Sequence, residues 1–351
     1  MIVFLLYAMD YVALTIFLDD LLREYQGNVP GCSVGIIVDN RLIFTKCMGL
    51  ANIDAKEKCT PQTNFRLASV TKQFTAMCIL QLVEKGVLNI TDPLSKYYPE
   101  FKNGEKITIY HLLTHSSGLL DYEDLISIKR KRPISDTEVL HLLATQTTFK
   151  FLPGTSYSYN NGGYCILKEL IEKVSGMSYH DYLAKNIFST LQMNQTVLSQ
   201  RNKTKIRNRA YGYSIMNHKI VQTDNNLTSY TMGDGSIYSS VEDSAKWCIG
   251  KQNIITSTLL ELSQQPHIET DEPNEYYGFG VVIKKLEGNV VICHEGDSIG
   301  FRSSIYFLPD RRIGVIFLSN SNKNSGNYFT EKIARYLLSN LGSLKKLKFI
   351  S

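Results

Sequence analysis

The period of the hydrophobic pattern changes twice along the chain. Residues 32–50 read CSVGIIVDNRLIFTKCMGL, two apolar, β-branched runs around Asp39-Asn40, which predicts a β-hairpin. Residues 277–296 and 301–320 contain four more strand-like runs, separated by turns rich in Gly, Asn, Asp and Pro. These two regions predict strands near both ends of the chain.

The middle of the chain has a helical pattern from Ser69 to about residue 250. The stretches TDPLSKYYPEF and ISDTEVLHLLATQ place a polar cap or a proline before helical periods. The stretch GYCILKELIEKVSG ends in Lys173 and Gly176, a typical helix stop. A last helix is predicted near Tyr328 to Leu341. No internal repeat or long linker separates these elements.

Strands at both ends around a helical middle predict an α+β fold. One antiparallel sheet is assembled from the two termini and flanked by helices, and a mostly helical region is inserted beside it. We expect residues 1–68 and 251–351 to form the sheet domain and residues 69–250 the helical domain. The cleft between them is the natural place for an active site.

Composition fits a globular protein that binds no nucleic acid. The 351 residues are 43% hydrophobic, enough for a large core, and the net charge is +5. The dense basic runs, KRKR at 129–132 and KKLK at 345–348, lie in no face interleaved with aromatic residues, so we interpret both as solvated charge. The seven cysteines are scattered without a C-x-x-C spacing, which favours neither a zinc site nor a disulfide framework.

The first 25 residues are apolar but make a poor targeting signal. They lack a cationic start and an A-x-A cleavage site, and Asp10 would lie inside a membrane span. We interpret the stretch as a packed first helix and leave a weak membrane anchor as the alternative. Any membrane association is expected through this segment alone, and the sequence does not decide the compartment.

A serine and a lysine stand three positions apart where the first helix of the middle region begins. In FRLASVTKQFTA, Ser69 and Lys72 would share one helix face with their side-chain heads in contact. A lysine can take the proton of a serine hydroxyl when burial or a neighbouring cation lowers its pKa, which makes the serine a nucleophile. The same S-x-x-K spacing also arises by chance, with Ser69 as a helix N-cap and Lys72 on the surface.

Two further stretches contain residues suited to the same chemistry. In PGTSYSYNNGGY, Tyr159 can share a proton with a lysine and Asn161 can hold a substrate carbonyl, although a turn-rich structural loop explains them equally well. In CHEGDSIGFRSS, His294 ends a strand and can hydrogen-bond a tyrosine or the substrate, while Gly296 permits close approach of a substrate backbone. Alone, a histidine at a strand end is more often structural.

The HLLTH stretch has a spacing that zinc enzymes use, but it lacks the rest of the motif. His111 and His115 are four residues apart, whereas the glutamate of H-E-x-x-H and a third ligand are missing. We therefore predict no metal and no other cofactor.

In this order, SVTK, YNN and HEG resemble the three signature elements of the serine β-lactamase and D-Ala-D-Ala peptidase superfamily, in its class C-like branch. Flanking stretches such as VPGCSVGIIVDN, ITIYHLLTHSSGL and GDGSIYSSVEDSAKW resemble that branch too, so the similarity covers roughly residues 12 to 340. The resemblance implies the β-lactamase/transpeptidase fold. It also assigns both histidines of HLLTH to a structural segment.

The resemblance also implies roles for particular residues. Ser69 would be acylated, Lys72 would be its base, and Tyr159 would relay the proton to the leaving group and later help to activate water. Asn161 would contact the acyl side chain. The oxyanion hole would consist of the backbone N–H groups of Ser69 and Asp297.

The third signature element departs from the family pattern. His294 stands where many members have the lysine of K-T-G, and Glu295 replaces the small hydroxyl residue. We therefore expect a serine hydrolase that forms an acyl-enzyme with a small ester or a D-amino-acid-containing peptide or amide. One alternative is a β-lactamase or a penicillin-binding D-Ala-D-Ala carboxypeptidase. Another is a non-catalytic scaffold that retains the fold, although a scaffold has no need of Ser69, Lys72 and Tyr159 together.

Overall fold

The computed structural model describes residues 2–200 and 203–344, with side-chain detail for residues 11–200 and 203–340. It shows an α+β fold in which a large antiparallel sheet carries helices on both faces, so the predicted fold class is confirmed. The strands within this part of the chain are β1 (Cys32–Val38), β2 (Arg41–Met48), β3 (Leu50–Asn52), β4 (Glu57–Lys58), β5 (Phe65–Arg66), β6 (Val197–Leu198), β7 (Tyr213–Met216), β8 (Lys219–Gln222), β9 (Ile237–Ser239), β10 (Ile268–Glu269), β11 (Tyr276–Tyr277), β12 (Val282–Leu286), β13 (Asn289–Ser298), β14 (Phe301–Leu308) and β15 (Ile313–Ser319).

The main sheet joins the two ends of the chain as the pattern predicted. Its eight strands run in the order β10-β11-β12-β13-β14-β15-β1-β2, and all neighbours are antiparallel. The N-terminal hairpin turns at Asp39 and Asn40, both with positive φ, as a two-residue hairpin loop requires. Strand β15 then pairs with β1, from Cys32 opposite Ser319 to Val38 opposite Ile313. This pairing closes one sheet from segments almost 300 residues apart.

The helices follow the predicted order with one shortened element. They are α1 (Ile2–Leu21), α2 (Thr71–Glu84), α3 (Ile109–Leu113), α4 (Tyr122–Leu125), α5 (Asp136–Ala144), α6 (Asn161–Ser175), α7 (Tyr179–Leu183), α8 (Val241–Gly250), α9 (Ser257–Ser263) and α10 (Gly326–Leu344), with a π-helical turn at Ala184–Phe188. In the predicted helix TDPLSKYYPEF only a 3₁₀ turn forms, Leu94–Lys96. The N–H of Leu94 bonds to the carbonyl of Ile107 (2.7 Å), so this turn is joined to a neighbouring segment.

Local capping explains why two of the longer predicted helices form where they do. Ser135 and Glu138 make a reciprocal capping box at the start of α5. Asn160 caps α6, and Gly176 ends that helix in the left-handed conformation with φ 68°. The cap at Asn160 fixes the start of α6, and Asn161 is the first residue of that helix.

The two largest apolar cores of the described residues lie on opposite faces of the main sheet. The larger one joins α2, α5, α6 and α8 to the sheet through residues such as Ile305 and Ile316. The smaller one joins α1 and α10 to the other face, where Phe17 stacks on Tyr336 with ring centroids 4.2 Å apart. This arrangement places the start of α2 and the start of α6 together on the first face, beside the edge of β13.

The middle region is less uniformly helical than the sequence pattern indicated. It contains the hairpin β7–β8 and the short strands β6 and β9, which form a three-stranded sheet with β5 in the order β5-β9-β6. These strands have two to four residues, too few for a period-2 signal. Helix α8 also contacts β1, β2 and β15 of the main sheet. The division into residues 1–68 with 251–351 and residues 69–250 stays a prediction.

The first helix is packed against the rest of the protein, as expected. Leu14 and Leu18 are fully buried, whereas Ile16 is 64% exposed. In the described part of the chain no helix is long and apolar enough to cross a membrane. The basic run at 129–132 forms ion pairs from Arg130 and Arg132 to Glu138, and the run at 345–348 lies outside the described residues. All seven cysteines are free, and six of them are buried.

Candidate active site

Ser69 lies on a tight turn that joins β5 to α2. A 3₁₀ turn covers Ala68–Val70 and α2 begins at Thr71, two residues later than a helix starting at Ser69. Ala68 has φ 48°, a conformation that costs a non-glycine residue energy and that concentrates at functional turns. The turn is tied down through Leu67, whose carbonyl accepts a hydrogen bond from Ser303 Oγ (2.6 Å). The serine is therefore presented on a rigid, strained backbone.

Lys72 is fully buried and touches the serine directly. Its Nζ lies 3.0 Å from Ser69 Oγ, 2.7 Å from Asn161 Oδ1 and 3.3 Å from the carbonyl oxygen of Asp234. A neutral amine has two N–H donors and one lone pair. With the donors directed at the amide and carbonyl oxygens, the lone pair is left for the Ser69 hydroxyl. The predicted contact between positions 69 and 72 is thus present, in a geometry suited to proton transfer.

Tyr159 lies beside the lysine. The centroid of its ring is 4.8 Å from Lys72 Nζ and 4.3 Å from the ring of His115. His115 is buried, and its Nδ1 accepts the backbone N–H of Asn160 (3.1 Å), so it supports the loop that carries the tyrosine. The structure therefore brings Ser69, Lys72 and Tyr159 together at one end of the cleft. Their catalytic roles stay predictions.

Asn161 bridges the lysine to an acidic residue. Its Oδ1 accepts from Lys72, and its Nδ2 donates to Glu123 Oε1 (3.0 Å). Its position at the first turn of α6 follows from the cap at Asn160. The amide is thereby oriented before any substrate binds, which suits the predicted contact with an acyl group.

His294 is held as a neutral histidine by a tyrosine that the sequence reading missed. Its Nδ1 lies 2.7 Å from the carbonyl oxygen of Glu295, and its Nε2 lies 2.9 Å from the hydroxyl of Tyr277. A carbonyl only accepts, so the proton is on Nδ1 and Nε2 accepts from the phenol. Burial, with the nearby Lys72 charge, lowers the pKa of His294 to about 3. The side chain at the K-T-G lysine position is uncharged at neutral pH.

The buried neutral histidine makes stability depend on pH. An unfolded histidine has a pKa near 6.5. Below that pH the unfolded state therefore binds a proton, whereas His294 in the folded state stays unprotonated. This group should cost about 2 kcal/mol of unfolding free energy between pH 7 and pH 5. We expect His294→Gln to lose correspondingly less stability than the wild type over this range, measured as urea unfolding at both pH values. Equal losses in the two proteins would contradict the assignment.

The remaining residues predicted on β13 have structural partners. A Cβ on Gly296 would lie 2.1 Å from the carbonyl oxygen of Leu67, so this glycine lets the Ser69 turn pack against the strand. The carboxylate of Asp297 pairs with Arg302. Glu295 points to the other side of the sheet, where it accepts from Ser325 Oγ and the backbone N–H of Asn327. Roles of Gly296 toward substrate and of Asp297 N–H toward an oxyanion stay predictions.

Two cavities meet at Ser69. One of about 420 Å³ extends past Tyr157, Tyr277 and Lys284, and the other, of about 290 Å³, extends past Glu123 and Ser229. Ser69, Asn161 and Asp297 line both. A substrate bound with its reactive carbonyl at Ser69 can therefore place its acyl part in one cavity and its leaving group in the other.

Within the described residues, neither histidine of HLLTH belongs to a cluster of metal-ligating groups. His111 Nδ1 accepts the backbone N–H of Thr108 (3.2 Å) as part of the cap of α3. Among the described residues, Asp136, Cys165 and Asp234 have three potential ligand atoms within 4.8 Å of one another. Asp136 already accepts backbone N–H bonds from Met232 and Gly233, so its carboxyl oxygens have partners without an ion. The expectation of no metal stays a prediction.

Comparison with known proteins shows the family. The family model described as Beta-lactamase matches residues 18–338, nearly the whole chain. The chain belongs to the β-lactamase family. Protein flp of Staphylococcus aureus (strain MW2) is 29% identical over 339 residues, which are 93% of this chain and 66% of that protein. The chain thus spans about two thirds of the length of that relative.

Solved structures agree with the family assignment. An octameric penicillin-binding protein homologue from Pyrococcus abyssi is 30% identical, with a TM-score of 0.82 over 94% of this chain and 78% of that one. The D-amino acid amidase of Ochrobactrum anthropi SV3, solved with D-phenylalanine, shares the fold at 20% identity, with a TM-score of 0.78 over 95% of this chain and 98% of that one. The match to the β-lactamase family does not distinguish its branches, so the class C-like branch stays a prediction.

Proposed function

We propose that this protein is a serine hydrolase that forms an acyl-enzyme with a small ester or a D-amino-acid-containing peptide or amide. The observation that carries the proposal is the buried Lys72 amine, 3.0 Å from Ser69 Oγ, at the junction of two cavities. A buried serine–lysine pair beside open space is the arrangement that nucleophilic catalysis needs. A non-catalytic scaffold gains nothing from burying a lysine against an accessible serine.

The residues divide the work of acyl transfer between them. Lys72 takes the hydroxyl proton while Ser69 Oγ bonds to the substrate carbonyl carbon, and the resulting oxyanion is held by the backbone N–H groups of Ser69 and Asp297. Tyr159 passes the proton to the leaving group as the bond to that group breaks. Water then attacks the acyl carbon and gives its proton to the same residues. The bond from Ser69 Oγ to that carbon breaks, and the proton returns to the Ser69 hydroxyl.

The charges around the cleft favour substrates that lack a carboxylate. His294 is neutral, and Lys284, the cation that lines the larger cavity in the described part of the chain, lies 3.6 Å from Glu275 in an ion pair. Two acidic residues, Glu275 and Asp297, line the same cavity. A β-lactam or a C-terminal D-Ala peptide brings a carboxylate that would find no free cation in the larger cavity. In the smaller cavity Arg66 already donates to the carbonyls of Ser229 and Gly235. Neutral esters and amides have no carboxylate, so the lack of a free cation does not weaken their binding.

The substrate preference can be measured with two chromogenic compounds. We expect a short-chain p-nitrophenyl ester to have a higher kcat/KM than a chromogenic cephalosporin across pH 6 to 8, because His294 gains no charge in that range. A hydrogen bond to a charged group contributes about 1.5–3 kcal/mol. The missing cation should therefore lower kcat/KM for the cephalosporin by roughly ten- to a hundredfold.

The variant His294→Lys should reduce the difference in kcat/KM between the two compounds. We expect it to raise kcat/KM for the cephalosporin and to leave binding of the ester nearly unchanged. His180→Lys, which adds the same charge at a half-buried position on α7, is the matched control and should leave kcat/KM for both compounds unchanged. Faster hydrolysis of the cephalosporin by the wild type would instead support a β-lactamase. Turnover of neither compound, nor of D-amino acid amides, would support the scaffold.

A further inference from the structure

One histidine of the HLLTH stretch contacts the loop that carries Tyr159. His115 is 1% exposed and lies in the segment between α3 and α4. Its φ of 58° is in the left-handed region, which a non-glycine residue keeps only where its surroundings hold it there. Strained residues of this kind concentrate at functional sites, so the contacts of His115 bear on what it does.

The loop that carries Tyr159 is fastened to His115 on both sides of the tyrosine. Residues 152–160 consist of turns and irregular loop. The backbone N–H of Ser158 donates to the His115 carbonyl (2.9 Å), and the backbone N–H of Asn160 donates to His115 Nδ1 (3.1 Å). These two bonds supply the backbone pairing that a helix or strand would otherwise give this part of the loop.

The ring of His115 also packs against Tyr159 itself. Their ring centroids are 4.3 Å apart, and the ring of Tyr277 lies 4.5 Å from that of His115. Tyr277 in turn donates to His294 Nε2. Side chains packed this closely have few alternative positions. The ring of Tyr159 is thereby held 4.8 Å from Lys72 Nζ.

His115 is itself held in place by the start of α6. The hydroxyl of Tyr164 donates to the carbonyl of Leu113 (2.8 Å), and the side-chain amide of Asn160 donates to the carbonyl of Leu119 (3.0 Å). Burial lowers the pKa of His115, so its ring is neutral near pH 7 and Nδ1 keeps a lone pair for the N–H of Asn160. The histidine is a fixed support with one defined acceptor.

We propose that His115 is a positioning residue for acyl transfer: it holds Tyr159 where the phenol can pass a proton to the leaving group. The inference rests on the proposed function, in which Lys72 takes the Ser69 proton and Tyr159 delivers a proton to the leaving atom. No proton moves to or from His115. Its contribution is the position of the phenol, and a displacement of about 1 Å is enough to slow such a step about a hundredfold.

The proposal predicts an effect that depends on the leaving group. An ethoxide leaving group must gain a proton as its bond to the carbonyl carbon breaks, whereas p-nitrophenolate leaves as a stable anion. Ethyl butyrate and p-nitrophenyl butyrate have the same acyl part and form the same acyl-enzyme. A variant with a misplaced Tyr159 should therefore lose more activity on the ethyl ester. A variant that is merely less folded should lose the same fraction on both.

The test variant is His115→Leu, which removes the Nδ1 acceptor. We measure kcat/KM for ethyl butyrate by pH-stat titration and for p-nitrophenyl butyrate by absorbance, and we check folding by a thermal melt. General acid catalysis contributes about 10²- to 10⁴-fold, so we expect a loss of roughly a hundredfold on the ethyl ester and of less than about tenfold on the other. His115→Gly, which adopts a positive φ without strain, is the second variant should leucine prevent folding.

Two further variants separate the acceptor from the loss of any histidine in this segment. His115→Asn places an amide oxygen near the position of Nδ1 and tolerates the left-handed φ, so it should restore kcat/KM for ethyl butyrate to within about tenfold of the wild type. His111→Leu is the matched control, because His111 Nδ1 also accepts a backbone N–H, that of Thr108 (3.2 Å), in the cap of α3. It should lower stability and leave the ratio of the two kcat/KM values unchanged.

Each outcome decides between the proposals. Equal losses on both esters in a folded His115→Leu protein overturn the role of His115 and leave the proposed function intact. An equal change of the ratio in His111→Leu overturns it as well, because any weakening of the segment would then suffice. A wild type that turns over p-nitrophenyl butyrate but not ethyl butyrate also overturns it, since no proton then reaches the leaving group. A wild type that turns over neither ester nor D-amino acid amides removes the proposed function itself, whatever the variants show.

Discussion

Replacing Ser69 by alanine is expected to lower kcat by roughly a million-fold, the order seen when the nucleophile of a serine protease is removed. The fold should survive, because Lys72 keeps its hydrogen bonds to Asn161 and to the Asp234 carbonyl after the hydroxyl is gone. The loss of one hydrogen bond should cost about 1 kcal/mol of unfolding free energy. Initial rates with a p-nitrophenyl ester and a thermal melt measure the two effects.

The matched control for that variant is Ser304→Ala. Ser304 is buried on β14, and its Oγ donates to Asn327 Oδ1 (2.8 Å) of α10, which packs on that strand. We expect it to lose similar stability and to keep its activity. Activity of Ser69→Ala within tenfold of the wild type would show that another group is the nucleophile.

Replacing Lys72 by arginine is the second large effect. Guanidinium does not release its proton in proteins, so the variant has no base beside Ser69. General-base catalysis contributes about 10²- to 10⁴-fold, and we expect kcat/KM to fall by at least that factor. Initial rates with the same p-nitrophenyl ester measure the loss.

Lys168→Arg provides the comparison. Lys168 is 4% exposed and pairs with Glu169 (2.9 Å) and Glu172 (2.8 Å) on α6, contacts that arginine can also make. This variant should keep nearly full activity. If Lys72→Arg turns over the ester as fast as Lys168→Arg does, Lys72 is not the general base.

Local patterns were sufficient for the elements that carry the site. The β1–β2 hairpin follows from alternation around Asp39-Asn40, and α6 follows from its cap and from Gly176. The Ser69–Lys72 contact follows from helical spacing alone, although the turn at Ala68 delays the helix by two residues. These features depend on neighbours within a few positions, which a sequence displays directly.

Features that depend on distant partners were not predictable from the pattern. Tyr277, whose hydroxyl donates to Nε2 of His294, lies on a two-residue strand that has no period-2 signal. Asp234 and Lys72 are 162 positions apart and meet only because α2 and the loop before β9 pack together. The stretch GDGSIYSSVEDSAKW resembles the family, but neither its spacing nor its composition predicts that the carbonyl of Asp234 contacts Lys72.

The most direct test of the central claim is the site of covalent modification in the wild-type protein. Intact-mass spectrometry after reaction with a fluorophosphonate should show a single adduct, and peptide mapping should locate it on Ser69, because Lys72 activates this hydroxyl and both cavities open onto it. Ser69→Ala should show no adduct under the same conditions. An adduct on another serine, or no adduct on a folded wild-type protein, would contradict the account.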